Sequence, residues 1–202
     1  MGIDEHPLLR SLRGGDRRSI GQADAAVRAA LEDAACAEVL WQGLIGPAEP
    51  VVRMRCADAL EKFSRLQPAF IDARRAALLQ LAQTPQPKEV RWHLMQMLPR
   101  VNWSPLECAR VLAAIRSALR DGSAIVQVNA LQALHELASR GEPFASASGE
   151  ALRVALGASQ ASVRAAGGQA GGFVTCPPCK AAVIAIPWGS AYDITIVITF
   201  VC

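Results

Sequence analysis

Residues 88–100 of the chain read KEVRWHLMQMLPR, and this stretch is one unit of a pattern that recurs along the sequence. With Val90 as position zero, large apolar residues follow at plus four, plus seven, plus eight and plus eleven: Leu94, Met97, Leu98 and Val101. This spacing is that of residues on one face of an α-helix. The stretch therefore predicts an amphipathic helix that opens on a Val-Arg pair.

The same frame fits three other places in the chain. Val52, Val126 and Val163 each begin a similar series, and the four anchor valines are 38, 36 and 37 residues apart. Self-similarity at such a period is typical of helical solenoids, in which stacked helix pairs bury apolar faces that no unit buries alone. The pattern predicts an all-α fold over residues 1–170, a right-handed α-α superhelix of about four to five helical pairs.

Turn and cap residues mark the predicted helix ends. Ser19 is predicted to cap the second helix of a degenerate first repeat, and residues 84–87 separate a helix over 70–83 from the helix at Val90. Ser104, Pro105 and Glu107 have the spacing of an N-cap, a proline at the first helical position and a capping-box carboxylate. A new helix is therefore expected to begin at Pro105.

The composition changes abruptly in the tail, residues 171–202. From residue 173 onward the only charged side chains are Lys180 and Asp193, and residues 194–201 are mostly β-branched and uncharged. Such a run is typical of a strand. We therefore expect a tail that is strand-like or disordered and clearly distinct from the repeat domain.

Three interpretations of this tail remain open. The first is a membrane anchor, although Pro187, Gly189 and Asp193 interrupt its apolar run. The second is a hairpin that packs on the last repeat and turns at Gly189 and Ser190. The third is the product of a shifted reading frame. We favour the third, because the repeat that begins at Val163 stops midway and gives way to unrelated composition. Membrane contact is expected only through this tail.

Composition restricts the class of protein further. Of the 202 residues 51% are apolar and 19% charged, which is enough to bury a core, and a net charge of +3 requires neither a nucleic acid nor a membrane as partner. The first residues lack a basic and an apolar segment, so a cytoplasmic location is expected. Three cysteines, Cys36, Cys56 and Cys108, are expected to stay reduced there. The arginine-rich composition favours a bacterial source.

The chain resembles the HEAT-repeat family of armadillo-like solenoids over about residues 19–166. Four pairs carry the resemblance: Val52-Arg53, Val90-Arg91, Val126-Gln127 and Val163-Arg164. The resemblance implies paired antiparallel helices, with the arginines hydrogen-bonded between repeats and the weakest link at Gln127. It also implies a scaffold or adaptor that binds another protein and is not an enzyme.

In solenoids of this type the second helices line the concave face, and their solvent positions are plus three, plus six and plus ten from the anchor valine. These positions form a candidate partner-binding strip, here called the concave strip: Arg55, Asp58, Lys62, His93, Gln96, Arg100, Asn129, Gln132 and Glu136. Trp41, Trp92 and Trp103 are expected to pack in the core, and a role of Trp103 as an aromatic interface anchor at the turn is the less favoured alternative. The alternative function is a HEAT-like DNA-binding protein or a DNA glycosylase acting on alkylated bases. Because the concave strip mixes both signs of charge, a nucleic acid is the less expected partner.

No other constellation predicts chemistry. The Cys176-Pro-Pro-Cys179 pair lacks the four ligands of a structural zinc site, and His6, His93 and His135 belong to different predicted helices. We therefore expect no catalytic residues, no metal, no cofactor and no small-molecule substrate.

Overall fold

The computed structural model describes residues 6–14 and 21–151, together with the backbone of two short strands at 184–186 and 194–196. The helices are α1 (Pro7–Ser11), α2 (Ala23–Glu32), α3 (Ala34–Ile45), α4 (Pro50–Leu66), α5 (Pro68–Asp72), α6 (Arg75–Gln83), α7 (Lys88–Met97), α8 (Pro105–Leu119) and α9 (Ala124–Ala138). A 3₁₀ turn, Leu98–Arg100, follows α7. One more helix is described over 144–151.

The chain divides into two compact units, residues 1–148 and 149–202. In the second unit, strand β1 (Ile184–Ile186) pairs antiparallel with β2 (Ile194–Ile196), with Ile184 opposite Ile196. Strand β2 lies within the run 194–201 for which a strand is predicted. The fourth repeat motif at Val163 and the cysteine pair of residues 176 and 179 lie outside the described residues.

The first unit is all-helical in its described part, as predicted, and its helices form two rows. One row contains α2, α4, α7 and α9, each in contact with the next. On this row pack the helices that precede its members in the chain: α3 on α4, α6 on α7 and α8 on α9, while α1 contacts α3 and α6 contacts α8. Every pair is thus in contact with its neighbour along the chain.

The predicted apolar faces form the core of this unit. All five predicted apolar positions of the α7 repeat, from Val90 to Val101, are at most 1% exposed. The equivalent positions of the repeats that begin at Val52 and Val126 are buried as well. The period of the sequence pattern therefore identified the buried side of α4, α7 and α9 correctly.

Two predicted helices differ from the structure. Helix α2 begins at Ala23 rather than after Ser19, and it buries three alanines whereas Leu31, placed on its apolar face, is 43% exposed. The small side chains allow α2 to approach α4 closely.

The single helix predicted over 70–83 is broken into α5 and α6. At the break the guanidinium of Arg74 stacks on the ring of Phe70 and bonds its carbonyl oxygen, while the backbone N–H of Arg74 bonds Ile71 three residues back.

Helix α8 begins as predicted. The backbone N–H of Ser104 donates to Oε2 of Glu107 at 3.0 Å, and the Ser104 hydroxyl donates to the same oxygen at 2.6 Å. These hydrogen bonds lower the pKa of Glu107 below its usual value. The capping box thus stabilises the amino-terminal end of α8, and the first turn of this helix lines a cavity.

Candidate protein-binding surface

The plus-three positions of the concave strip do not face solvent. Arg55, His93 and Asn129 are 2%, 2% and 7% exposed, so their predicted exposure is wrong. The physical reason is that α2, α4, α7 and α9 lie side by side, and these positions point at the adjacent helices or loops. Arg55 shows what such a residue does: its Nη1 donates to the carbonyl oxygens of Leu12 at 2.7 Å and Gly14 at 2.6 Å, in the loop after α1.

A second group of strip residues joins α2 to α4. The Lys62 ammonium donates to Oδ1 of Asp24 at 2.7 Å and to Oδ2 of Asp58 at 3.1 Å. Burial raises the pKa of Asp58, an effect that the charge of Lys62 opposes. Burial by itself would lower the pKa of Lys62, but its bonds to the two carboxylates outweigh that effect and raise it. The Lys62 ammonium is therefore held between two carboxylates, and both of these hydrogen bonds lie within the fold.

His93 lies at the same junction, where α7 packs on α4. Its Nε2 is 4.0 Å from Oδ1 of Asp58, and its ring lies on the indole of Trp92 with 3.5 Å between centroids. Burial lowers the pKa of His93 to about 3, and the charges of Lys62 and Arg65 act in the same direction. The imidazole is consequently neutral at physiological pH, and its Nδ1 has no hydrogen-bond partner among the described residues.

The amides of the strip connect α7 to α9. Gln96 donates from Nε2 to Oδ1 of Asn129 at 2.8 Å, and Asn129 in turn donates from Nδ2 to the carbonyl oxygen of Ile125 at 2.8 Å. Because the Asn129 side chain is held at both ends, it is a structural bridge between helices rather than a contact offered to a partner.

Arg100 binds the preceding helix in the row. Its Nη1 donates to the carbonyl oxygen of Glu61 at 2.6 Å and to the Ser64 hydroxyl, and its Nη2 pairs with the Glu61 carboxylate. Glu61 is 1% exposed and also receives two bonds from Arg65, at 2.9 and 3.0 Å. The charge that Arg100 was predicted to offer to a partner is therefore neutralised by a buried carboxylate.

Arg140 repeats this arrangement one pair later. Its guanidinium donates to the carbonyl oxygens of Pro99 and Val101, and the Arg140–Val101 bond spans 39 residues, as does the bond from Arg100 to Glu61. An arginine from each later pair thus binds carbonyls at the carboxyl end of the second helix before it. Sequence analysis missed Glu61 and Arg140, although the 40-residue interval between Arg100 and Arg140 was a usable signal.

The Val-Arg pairs form a second ladder at the opposite helix ends, as predicted. Arg53 donates to Gln86 in the next pair at 2.6 Å. Arg91 donates to Asp121 at 2.7 Å and to Ser117 at 2.8 Å, also in the next pair. Gln127 instead bonds the carbonyl oxygen of Asp121, within its own pair. The inter-repeat role predicted for Arg53 and Arg91 is confirmed, and Arg164 lies outside the described residues.

Gln132 and Glu136 are the strip residues that remain at the surface without a bond to another helix among the described residues. Gln132 donates to Glu136 at 2.9 Å. Arg140 follows Glu136 by a further four residues, so the three residues succeed one another along one side of α9 and its carboxyl end. We call this set the α9 face: Gln132, Glu136 and Arg140.

The α9 face leads to a cavity of about 330 Å³. Its apolar walls are Trp103, Pro105, Pro143 and Phe144, and the charged side chains of Arg140 and Glu142 also line it. The indole Nε1 of Trp103 donates to the carbonyl oxygen of Leu98 at 2.9 Å, which fixes the ring in the wall. The cavity therefore combines an apolar interior with two opposite charges.

Among residues 6–14 and 21–151, no three His, Cys, Asp or Glu side chains come together in a way that would hold a metal ion. None of the described helices combines the length and the apolar character needed to cross a bilayer.

Comparison with known proteins adds no relative. No model of a known protein family matches the chain, and no curated protein shows significant similarity to it.

Proposed function

We propose that this protein is a non-catalytic, right-handed α-solenoid of the HEAT-like type that binds a segment of another protein. The observation that carries the proposal is the pair of arginine ladders. At one end Arg53 and Arg91 bond forward to the next pair, and at the other Arg100 and Arg140 bond back to the previous one. Contacts of each unit with its neighbours, repeated along the chain, are the pattern expected of a solenoid and support this proposal, and solenoids serve as extended binding surfaces.

The α9 face and its cavity are the binding surface in this proposal. Most cations and amides of the concave strip on α4 and α7 are used for internal bonds, so a partner gains little from them. The α9 face keeps an exposed carboxylate at Glu136 and adjoins an apolar cavity. An apolar pocket with a polar border is the usual anatomy of a protein-binding site.

Duplex DNA is less well supported as the partner. Non-specific DNA binding depends on cations that are free to contact phosphates. Lys62 is paired with Asp24 and Asp58, and Arg100 with Glu61. Arg55 is buried and donates to two backbone carbonyl oxygens, so the basic residues of the strip are engaged within the fold. Salt-sensitive retention of the protein on random-sequence duplex would contradict this argument.

A peptide-display selection on the immobilised full chain tests the proposal. Peptides selected on the wild type are measured against Gln132→Arg, on the α9 face, and against Gln80→Arg, the same change at an exposed position of α6. We expect at least a tenfold loss of affinity for Gln132→Arg and less than a twofold change for Gln80→Arg, since a new charge acts strongly only inside the interface. Equal binding to both variants, or no enrichment of any peptide, would refute the proposed surface.

A further inference from the structure

The cavity beside the α9 face has the volume and walls of a pocket for one large apolar side chain. An enclosed cavity of roughly 150 Å³ is enough for benzene; this one measures about 330 Å³ and is open to solvent on one side, so a side chain can enter it from the surface. Two walls are aromatic, from Trp103 and Phe144, and rings of this kind pack favourably against another ring. Phe144 is buried and Trp103 is held by its bond to Leu98, so the walls are already in place before a ligand arrives.

Arg140 supplies a positive charge at the same place. A guanidinium has five N–H donors, and Arg140 uses two of its nitrogens on the carbonyl oxygens of Pro99 and Val101. It forms no ion pair with any carboxylate among the described residues. The two backbone bonds fix the plane of the group, and the remaining donors are suited to a carboxylate.

Glu136 and Glu142 supply negative charge on either side of Arg140 in the sequence. Glu136 is exposed, and within the described residues its carboxylate accepts one bond, from the neutral Gln132 amide, so no cation compensates its charge there. Glu142 accepts a bond from the Ser146 hydroxyl at 2.6 Å and faces the cavity. A ligand that meets all of these groups must carry charges of both signs, which a small apolar carboxylate does not.

From this arrangement we infer that the cavity takes the anchor residue of a partner-protein segment: a large aromatic side chain, with an acidic side chain beside it that pairs with Arg140 and a basic side chain that pairs with Glu136. The inference rests on the proposed function and specifies the chemistry of the partner at the same surface. It commits to an extended protein segment, because Glu136 on α9, Arg140 just after the helix and the neighbouring cavity are three separate groups that match side chains spaced along a chain.

A charge-swap selection tests the inference. A peptide library with one fixed phenylalanine and random flanking positions is selected in parallel on the full-length wild type and on Glu136→Lys, an exposed change outside both arginine ladders. We expect wild-type binders to carry Asp or Glu next to the phenylalanine and Lys or Arg at a second position. On Glu136→Lys the acidic neighbour persists, and the basic residue is replaced by an acidic one.

Affinities of the best wild-type peptide make the test quantitative. Replacing its acidic neighbour by the amide should weaken binding about tenfold, as expected for one charge-assisted hydrogen bond. Replacing its phenylalanine by alanine should weaken binding at least as much. Replacing its basic residue should weaken binding to the wild type but not to Glu136→Lys. An unchanged charge preference on Glu136→Lys, or tight binders without an aromatic residue, would overturn the inference.

The location of the anchor is read from the indole N–H resonance of Trp103, assigned by its loss in Trp103→Phe. Binding of the peptide should shift this resonance. Asn102→Asp adds a negative charge at the exposed cavity wall and should lower the affinity for the peptide severalfold. The control Arg120→Gln lies at an exposed position outside the cavity and should have no effect.

Three outcomes separate this inference from the proposed function. Peptides that bind the α9 face with a different motif leave the proposed function intact and refute the anchor. Free 3-phenylpropanoate that shifts the Trp103 resonance, when no peptide does, identifies a small-molecule site and refutes both. Failure of every probe to shift that resonance refutes the anchor, even if peptides bind elsewhere on the protein.

Discussion

Removing the guanidinium of Arg100 should strongly destabilise the first unit, because this group joins two helix pairs through a buried carboxylate. In Arg100→Met the apolar stem stays, while Glu61 loses the bond to Arg100, and Ser64 and a backbone carbonyl lose their donor. Breaking a buried ion pair from one side costs roughly 3–5 kcal/mol. Arg65 still bonds the carboxylate but is half exposed, so we expect a loss of about 2–3 kcal/mol in the free energy of unfolding.

Urea unfolding followed by circular dichroism at 222 nm measures this loss, with the free energy extrapolated linearly to water. At roughly 2–4 °C per kcal/mol for a chain of this size, the melting temperature should fall by about 4–12 °C. The matched control is Arg110→Met, because within the described residues Arg110 bonds Gln83 alone, at the surface, and its loss should cost about 0.5 kcal/mol or less.

A double-mutant cycle with Glu61→Gln tests the cause of the effect. If Arg100 acts through Glu61, the two substitutions together should cost less than the sum of the single changes by roughly 1–3 kcal/mol. Additive effects, or an Arg100→Met variant as stable as Arg110→Met, would show that the ladder does not hold the helix pairs together.

Three further predictions follow from buried groups. Gly43→Ala should destabilise the protein by roughly 1–3 kcal/mol in urea unfolding, since its Cβ would lie 2.7 Å from Sγ of Cys56, whereas Gly122→Ala meets nothing within 4 Å and should not. The folded-state pKa of His93 is about 3, below its unfolded value, so its contribution to stability is complete above about pH 6.5 and lost as the pH falls. Urea unfolding measured between pH 7 and pH 5 should therefore show a free energy of unfolding that declines with pH, and this decline should be weaker in His93→Gln. Burial raises the pKa of the Cys56 thiol to about 12, so mass spectrometry after iodoacetamide treatment of the native protein should find Cys108 alkylated long before Cys56, and equal rates would contradict the fold.

The helix pairs were predictable because the apolar period reports burial directly. The repeats anchored at Val52, Val90 and Val126 needed only the spacing of their side chains, and the capping box at Ser104 and Glu107 needed only local hydrogen bonds. The boundary of α2 and the break before α6 were not predictable in this way. The break depends on the Arg74 guanidinium, which bonds the Phe70 carbonyl oxygen and pairs with Glu38 in another helix pair.

The concave strip shows the same division more sharply. Most of its residues on α4 and α7, together with Asn129, bond a neighbouring helix or loop, whereas Gln132 and Glu136 bond each other within α9. The exposure predicted for Arg55, Asp58, His93 and Asn129 was wrong, because it depends on how closely the next helix or loop approaches, whereas Glu136 is exposed as predicted. Polar residues recur along a helix with the same period whether they face water or a carboxylate on a neighbouring helix.

The periodicity of the chain alone was enough to predict the helices α4, α7 and α9 and the sides of them that are buried, and the resemblance of the Val-Arg pairs to a repeat family predicted that Arg53 and Arg91 link one unit to the next. These properties follow from spacing within a helix and from contacts that repeat in every unit. The spacing of neighbouring helices within a row and the pairing of Arg100 with Glu61 required the three-dimensional fold, as did the cavity between Trp103 and Phe144. Each of these depends on residues about 40 positions apart in the chain, and only packing brings such residues together.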